Sequence, residues 1–408
     1  MKLIFLVGYF NTFSTMKTKL LTLLLFSFVL QINAQLVNGP FEFNTSFTGE
    51  FADNFKGGFK QGDAYYGLEQ LSLNFNTETA GFWNGGNFFI HLLNIHGTGA
   101  TAKYVGDMMV LSNIEASDFT GLFEIWYAQN IGKFMFLFGQ HDMNTEFAGT
   151  KYGENFLNST YGVVSNIALN IPISVYPIAA PCLLTKYYFS DNLILKIASY
   201  DGNPGTIESN KHNMKWHLSS SEGFMNIAEL QYTVINHNQN GITTSNGIQM
   251  GSYKLGMFYH TGPFSNYYDS TKTLKGNYGI YFIADQMIIP KPSKPSEGLA
   301  LMMEVGFSPP KLNLISYSIE GGIRYHGILP WRTKDFIGIA FTYARLSKYV
   351  LLNDISRSFS ESSIEASYKF QFANHYTIQP DFQYIIHPGA LKTVPNACVG
   401  LLRFQLAL

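Results

Sequence analysis

The chain has 408 residues, of which 13% are charged and 16% are aromatic, and its formal net charge is −1. So small a net charge excludes a global field that would attract nucleic acid, and it fits a neutral solute. The length allows two or three soluble domains or one large barrel, but no Gly/Ser-rich or charge-rich linker divides the chain. Few charges and many aromatic residues favour one wall that meets lipid.

The N-terminus has the pattern of a secretory signal peptide. Basic residues up to Lys19 precede the apolar run LLTLLLFSFVL, and Ala34 supplies the small residue before a cleavage site. The run is shorter than the roughly 20 residues that a membrane-spanning helix needs. We therefore predict a signal peptide at 1–34, with Met16 as an alternative start, and one barrel domain at 35–408.

Beyond the signal peptide, apolar and polar residues alternate, as in strands whose two faces meet different surroundings. In Gly298–Ser308, Leu301 and Met303 fall on one parity and Glu304 on the other. This period predicts sixteen strands, an even number as single-chain bacterial barrels require: 38–56, 63–80, 87–97, 120–130, 132–142, 180–190, 193–201, 222–235, 250–262, 276–286, 298–308, 316–326, 335–346, 362–373, 374–386 and 396–408.

The connections between these strands alternate in length, as short periplasmic turns and long outer loops do in membrane barrels. The predicted short connections are 81–86, 130–132, 190–192, 329–334 and 373–375, and the long ones are 97–119, 143–177, 203–221 and 347–361. Two supposed turns are longer than expected, Asn236–Gln249 and the proline-rich Ile288–Glu297, and each holds either extra strand residues or an insertion. The predicted fold class is all-β, a transmembrane antiparallel β-barrel of about 16 strands.

The cost of placing charge in lipid decides which parity faces outward. A charged side chain at mid-bilayer costs up to about 2–4 kcal/mol. We assign to the lumen the parity that holds most of the charged residues: Glu304, Glu320, Arg324, Glu365, Lys369 and Arg403. The two cysteines, Cys182 and Cys398, do not make a disulfide framework, and their strands are not neighbours in the predicted order.

Catalytic and metal motifs are weak in this chain. His141 and Asp142 are adjacent, so in a strand they would point to opposite faces, and no serine lies in a G-x-S-x-G turn. His212 and His217 lack a third ligand at tight spacing. We expect no enzymatic activity and no cofactor or metal.

Several stretches, in order along the chain, carry a family resemblance. They are LFEIWYAQN (from Leu122), FGQHDMNTEFA (from Phe138), GNYGIYFIADQ (from Gly276), GLALMMEVGFSP (from Gly298), GIRYHGILPWRTKDFIGIAF (from Gly322) and IQPDFQYIIHPG (from Ile378). Together they resemble the carbohydrate-selective porins of the OprB family. Glu124, Trp126 and Gln129 match its EIWYAQ piece, and Asp285 and Gln286 match its ADQ piece.

The resemblance implies a sixteen-strand barrel in the outer membrane of a Gram-negative bacterium, through which mono- or oligosaccharides diffuse passively. The expected partners are the lipid bilayer and the barrel-assembly machinery, and a homo-oligomer stays open. The alternating C-terminal strand resembles an insertion signal, with Leu408 in place of the usual aromatic residue. The alternative function is a general small-solute porin without sugar selectivity.

The longest connection, Met143–Pro177, is predicted to fold into the lumen, mainly on the family resemblance. A sixteen-strand barrel is wide enough for a water-filled channel, so selection requires a constriction. Acids, a base, amides and aromatics of this loop suit sugar hydroxyls and ring faces: Glu146, Lys151, Tyr152, Glu154, Asn155, Asn158 and Tyr161. The alternative is an ordinary solvated outer loop.

Seven residues on the polar parity are candidates for the lumen wall: Glu124, Trp126, Glu320, Arg324, Lys369, Asp381 and Arg403. In a functional interpretation they form a ladder that guides a hydrated solute. In a structural interpretation they form an ion-pair lattice across the inner wall. The sequence leaves both open.

Overall fold

The computed structural model describes residues 39–239, 242–292, 294–372 and 375–408, so the predicted signal peptide lies outside the described part. Sixteen antiparallel strands close into one barrel, in which sequence neighbours pair and β16 pairs with β1. The predicted all-β barrel is confirmed. Its strands are β1 (Phe41–Lys56), β2 (Gly62–Asn76), β3 (Gly86–Gly97), β4 (Phe119–Ile131), β5 (Phe134–His141), β6 (Ala180–Tyr188), β7 (Leu193–Asp201), β8 (Phe224–Gln239), β9 (Ile242–Ser265), β10 (Thr273–Lys291), β11 (Lys294–Phe307), β12 (Ile315–His326), β13 (Phe336–Leu346), β14 (Ser360–Phe372), β15 (Tyr376–Ile386) and β16 (Ala397–Ala407).

The period-two pattern separates an apolar outer face from a packed interior. On β11, Leu301 and Met303 are exposed on the outside, whereas Met302 and Glu304 are buried on the inside. β12 repeats the arrangement with Ile323 outside. Side chains that leave the barrel outward meet lipid, so apolar residues are retained there and charged ones are excluded.

The two overlong turns are strand hairpins rather than insertions. β8 and β9 pair as far as Gln239 with Ile242. β10 and β11 pair as far as Lys291 with Lys294, after two irregularities in register. Their extra residues therefore lengthen the wall.

Two strand ends differ from the prediction because a side chain ends the ladder. β2 ends at Asn76 rather than at residue 80, since the Thr77 hydroxyl donates to the carbonyls of Trp83 (2.6 Å) and Gly86 (3.0 Å) and begins a turn. Asp142 lies one residue past β5, where its carboxylate accepts from the Asn144 N–H (2.9 Å). The expectation that it points away from a strand neighbour therefore does not apply.

Short helices occur only within connections of the described chain: α1 (Ser165–Ala168) and α2 (Lys348–Asn353), besides single 3-10 and π turns. No helix in the described ranges is both long and apolar enough to cross a bilayer. Cys182 on β6 and Cys398 on β16 are free thiols on strands that are not neighbours.

Candidate functional site: a narrowed lumen

The connection between β5 and β6, residues 142–179, is held closed at its base; we call it the inner loop. The Met143 N–H donates to the Ser174 carbonyl (2.8 Å). The Ser174 hydroxyl donates to the His141 carbonyl and accepts from the Ala180 N–H, both at 2.7 Å. These bonds fix where the loop leaves and rejoins the wall.

The body of the inner loop is anchored by carboxylates from distant strands. Glu229 on β8 accepts the Ala148 N–H (3.0 Å), and Asp285 on β10 accepts the Lys151 N–H (3.0 Å). On β12, Glu320 accepts from the backbone N–H of residue 165 (3.1 Å). Each carboxylate is at most 1% exposed. Buried carboxylates need hydrogen-bond donors, and the loop supplies them.

The farthest anchor is Glu365 on β14, which accepts the N–H groups of Leu157 (2.6 Å) and Asn158 (3.0 Å). Gln379 on β15 adds a bond to the Asn155 carbonyl (2.8 Å). In the ring of sixteen strands, β14 lies almost diametrically opposite β5. The inner loop therefore crosses the lumen and is fastened on its far side.

A second connection, residues 98–118 between β3 and β4, also enters the lumen; we call it the second inner loop. Glu361 on β14 accepts the N–H groups of Met108 and Met109, at 2.9 Å each. The two loops join where the Asn113 N–H donates to the Leu157 carbonyl (2.7 Å). Sequence reasoning expected only one inward loop. Two features of the sequence could have indicated the second inward loop: the 21-residue length of this segment and the carboxylate of Glu361 near the start of β14.

Four of the predicted wall residues serve mainly to hold the structure together. Glu124 accepts the Asp142 N–H (3.0 Å), Glu320 holds the inner loop, and Asp381 accepts from Gln383 (3.3 Å). Arg403 pairs with Glu50 on β1 (2.6 Å) and donates to the Asn113 side chain (2.8 Å). The lattice is largely one of carboxylates and loop backbone.

The other three predicted wall residues keep surface on the lumen side. Trp126 stacks on Phe89 with ring centroids 4.9 Å apart. The Arg324 guanidinium lies over the Tyr152 ring, 4.2 Å from its centroid. Lys369 is partly exposed on the lumen side of β14.

Among the predicted residues of the inner loop, Lys151 and Glu154 are exposed. Glu146 is paired with Lys186 of β6. Three others are buried within the loop and its anchors: Tyr152, Asn158 and Tyr161. Asn155 is partly exposed, and its carbonyl is bound by Gln379. The loop thus presents one cation and one anion to the passage beside it.

No group of three or more metal-ligating side chains occurs in the described ranges. His212 contacts the Thr120 carbonyl (2.7 Å) through Nδ1. His141 contacts the Tyr200 hydroxyl (3.0 Å) through Nδ1 and the Thr145 hydroxyl (3.2 Å) through Nε2. These histidines have structural partners.

Comparison with known families finds one model that matches residues 60–408, described as "Carbohydrate-selective porin, OprB family". Porin B of Pseudomonas aeruginosa is 22% identical, with 91% of this chain and 88% of that protein aligned. A putative porin, QuiX, of Acinetobacter baylyi is 19% identical, with 91% and 90% aligned.

Solved structures share the fold. A high-pH structure of Pseudomonas putida OprB superposes with a TM-score of 0.81 at 21% identity, covering 92% of this chain and 96% of that one. The outer membrane channel DcaP of Acinetobacter baumannii superposes with a TM-score of 0.57 at 11% identity, covering 90% and 97%. Both similarities extend over nearly the whole barrel.

Proposed function

This chain belongs to the OprB family of carbohydrate-selective porins and forms a sugar porin of the Gram-negative outer membrane, and we propose that its two inner loops set the size limit for the solute. The observation that supports this most strongly is the attachment of the inner loop to Glu365, on the wall opposite its origin. A loop fastened at both sides of a pore narrows it without closing it, so small sugars pass and larger ones are held back.

Liposome swelling with sugars of graded size tests this proposal. The wild-type channel should admit monosaccharides and slow sharply for trisaccharides. In the double variant Asp285→Ala/Glu365→Ala, the loop loses two of its wall anchors, and trisaccharide flux should rise severalfold because the constriction widens. Single-channel conductance should rise in parallel.

Gln70→Ala is a matched control, because Gln70 also faces the lumen but its side-chain amide bonds the wall, at the Ser46 hydroxyl (3.2 Å). It should keep the wild-type size limit. An unchanged size limit in a folded anchor variant would show that the loops do not set it. Equal flux of monosaccharides and amino acids of the same size would favour a general small-solute porin instead.

We also propose that the channel is passive and carries no catalytic residue. His141 and Asp142 are the chemically suggestive pair, and both are occupied at the base of the inner loop. Purified protein in vesicles should leave the transported sugar unmodified, as judged by chromatography of the recovered solute. Chemical change of the sugar would contradict this assignment.

Biogenesis is a further part of the proposal. Residues 1–34 would direct export, and the barrel-assembly machinery would insert the mature chain through its alternating last strand. β16 ends at Ala407, and the Leu408 N–H bonds the Thr45 carbonyl (2.9 Å) across the closing pair of strands. Deletion of 396–408 should leave the chain uninserted in outer-membrane fractions, whereas Leu408→Phe should insert normally.

A homo-oligomer is supported by polar residues on the outward parity of β2–β4. Glu69 lies opposite Asn94, which donates to the Thr120 hydroxyl (2.6 Å), and His96 bonds the Asn94 side chain (3.1 Å). Polar groups that face lipid are costly, so contact with another subunit would stabilise them. Light scattering in detergent should find an oligomer that Glu69→Arg dissociates; a monomeric wild type would contradict this.

A further inference from the structure

Acidic and basic side chains of the lumen differ in their exposure. Nine acids that point inward from the strands are less than 9% exposed: Glu50, Glu124, Glu229, Asp285, Glu304, Glu320, Glu361, Glu365 and Asp381. Five of the six inward strand cations are at least partly exposed: Lys186, Lys254, Arg324, Lys369 and Arg403. Lys196 is the exception at 6%.

Six of these nine acids are buried because the inner loops bond their oxygens: Glu124, Glu229, Asp285, Glu320, Glu361 and Glu365. Glu50 pairs with Arg403 instead, Asp381 accepts from Gln383, and both Glu304 oxygens are buried without a hydrogen-bond partner among the described residues. Glu365 accepts two backbone N–H groups, and Asp285 accepts the Thr150 hydroxyl (2.9 Å) as well as the Lys151 N–H. Glu361 accepts donors from the second inner loop. A solute in the passage therefore cannot reach most of the carboxylate acceptors of the wall.

The cations near the inner loop keep their donors available. Among the described residues, Lys151, Arg324 and Lys369 form no ion pair within 4.0 Å. Lys254 donates to a neutral group, the Gly149 carbonyl (2.6 Å). Glu154 is the exposed acid of this neighbourhood. Glu146 is partly exposed as well, but it is paired with Lys186. Four cations outside ion pairs thus stand against one exposed acid outside an ion pair, Glu154.

This contact surface is rich in donors and poor in acceptors. A neutral sugar hydroxyl both donates and accepts, whereas a carboxylate accepts only, and arginine and lysine only donate. Arginine also matches the planar carboxylate with two parallel hydrogen bonds. Resting on the proposed function, which places the solute beside the inner loop, we propose that the channel favours carbohydrates that carry a carboxylate, such as aldonates and uronates, over neutral sugars.

The preference would act by contact and not through the net charge of the protein, which is −1. Glucuronate, its neutral methyl ester and glucose have similar size and test the contact directly. In liposome swelling, glucuronate should enter about three- to tenfold faster than the other two at low ionic strength, and the advantage should shrink as salt screens the charges.

The variants Arg324→Gln and Lys369→Gln, alone and together with Lys151→Gln, should remove the glucuronate advantage, so that glucuronate enters no faster than its methyl ester through the same variant. Lys272→Gln is the matched control, because Lys272 is an exposed cation of an outer connection, paired with Asp269. It should behave as wild type. Glucose 6-phosphate, as a second arm, separates carboxylate recognition from attraction of any anion: equal acceleration of both would overturn the carboxylate assignment.

Equal entry of glucuronate and its methyl ester would overturn the inference, as would a glucuronate advantage that survives in the triple variant. The size limit separates this failure from failure of the proposed function. If the anchor variant Asp285→Ala/Glu365→Ala widens the pore and no charge preference exists, only the carboxylate inference is lost. If the anchor variant leaves the size limit unchanged, the constriction itself is misplaced.

Discussion

Two parts of the barrel wall differ in the burial and the bonding partners of their inward polar side chains. From β8 to β15, which we call the gripping wall, inward carboxylates such as Glu229 and Glu365 are fully buried against the inner loops. On β2 and β3, the open wall, inward amides and hydroxyls stay partly exposed, and they bond one another, as Asn87 bonds Asn74 (2.6 Å). An amide carries both a donor and an acceptor, so two amides can bond each other, whereas a carboxylate has only acceptors and depends on donors from elsewhere. The inner loops therefore bind where the wall presents carboxylate oxygens that can accept their N–H groups.

Glu229→Gln should have the largest effect on stability, because Glu229 is a buried residue of the gripping wall that bonds a group on β7, one on β10 and one in the inner loop. It pairs with Lys196 (3.0 Å) and accepts from Ala148 (3.0 Å) and Tyr281 (2.9 Å). Removing one partner of a buried ion pair costs about 3–5 kcal/mol. Urea unfolding in lipid vesicles should show this loss, while Gln70→Ala on the open wall should cost about 1 kcal/mol or less. Equal costs would remove the distinction between the two walls.

A charge placed on the lipid-facing side should destabilise the gripping wall and the open wall by similar amounts. Ile323→Arg on β12 and Ile90→Arg on β3 each place a cation on the lipid side, where the native residues are 54% and 39% exposed. Each should cost about 2–4 kcal/mol if the site is near mid-bilayer. Folding yield into vesicles, with Ile323→Leu as control, measures this. A variant that folds as well as wild type would reverse the face assignment of its strand.

Asp335, in the turn before β13, should make the gripping wall sensitive to acid. Burial alone would raise the pKa of Asp335, but hydrogen bonds from Arg332, the Gln371 N–H and the Tyr368 hydroxyl hold it below its usual value. A depressed pKa adds stability above the unfolded value of about 3.9, and this is lost as pH falls through the folded pKa.

Asp335→Asn should therefore cost about 1–3 kcal/mol at pH 7 and little below the folded pKa of the wild-type carboxyl. The measurement is urea unfolding of wild type and variant, at pH 7 and at a pH below the folded pKa of Asp335. A constant cost across the pH range would mean that the ionised carboxylate contributes nothing. Ser219→Ala, in the long connection between β7 and β8, is the control and should show no such dependence, because the Ser219 hydroxyl bonds the Ser221 hydroxyl (2.7 Å), a neutral group.

Single cysteine substitutions in the connections test which end of the barrel faces the outside of the cell. They should change the free energy of unfolding by no more than about ±0.5 kcal/mol. Lys211→Cys, in the long connection after β7, should react with an impermeant thiol reagent on intact cells. Asp191→Cys, in the short turn before β7, should not react until the outer membrane is opened. Labelling of the second variant on intact cells would invert the barrel.

The barrel could be predicted because lipid imposes a strict local pattern. The parity of Leu301 and Met303 against Glu304 is visible within a few residues, and the structure has the same faces. Even the two apparent exceptions, the overlong turns, follow the pattern once the hairpins are extended. Strand ends were less predictable, since the Thr77 hydroxyl ends β2 through bonds that no periodicity records.

The site could be predicted only in part, because its contacts join residues far apart in sequence. Glu365 was identified by parity, but its bonds to Leu157 and Asn158 arise from closure of the ring. The second inner loop was missed because loop length alone ranked it below the first. The net charge predicts a neutral solute, and the proposed carboxylate preference could not be predicted, because composition cannot tell a buried carboxylate from an exposed lysine.

The ion pair between Glu50 and Arg403 has a consequence for the order of folding. These residues face each other in the register of β1 with β16, 353 positions apart along the chain. Until the first and last strands meet, each charge must stay hydrated at an open edge, because an unpaired charge is costly to bury. The final pairing therefore removes two solvated charges at once. The open sheet edge and the two unpaired charges are removed in the same step. A half-closed barrel would keep both, so it is less stable than the closed one.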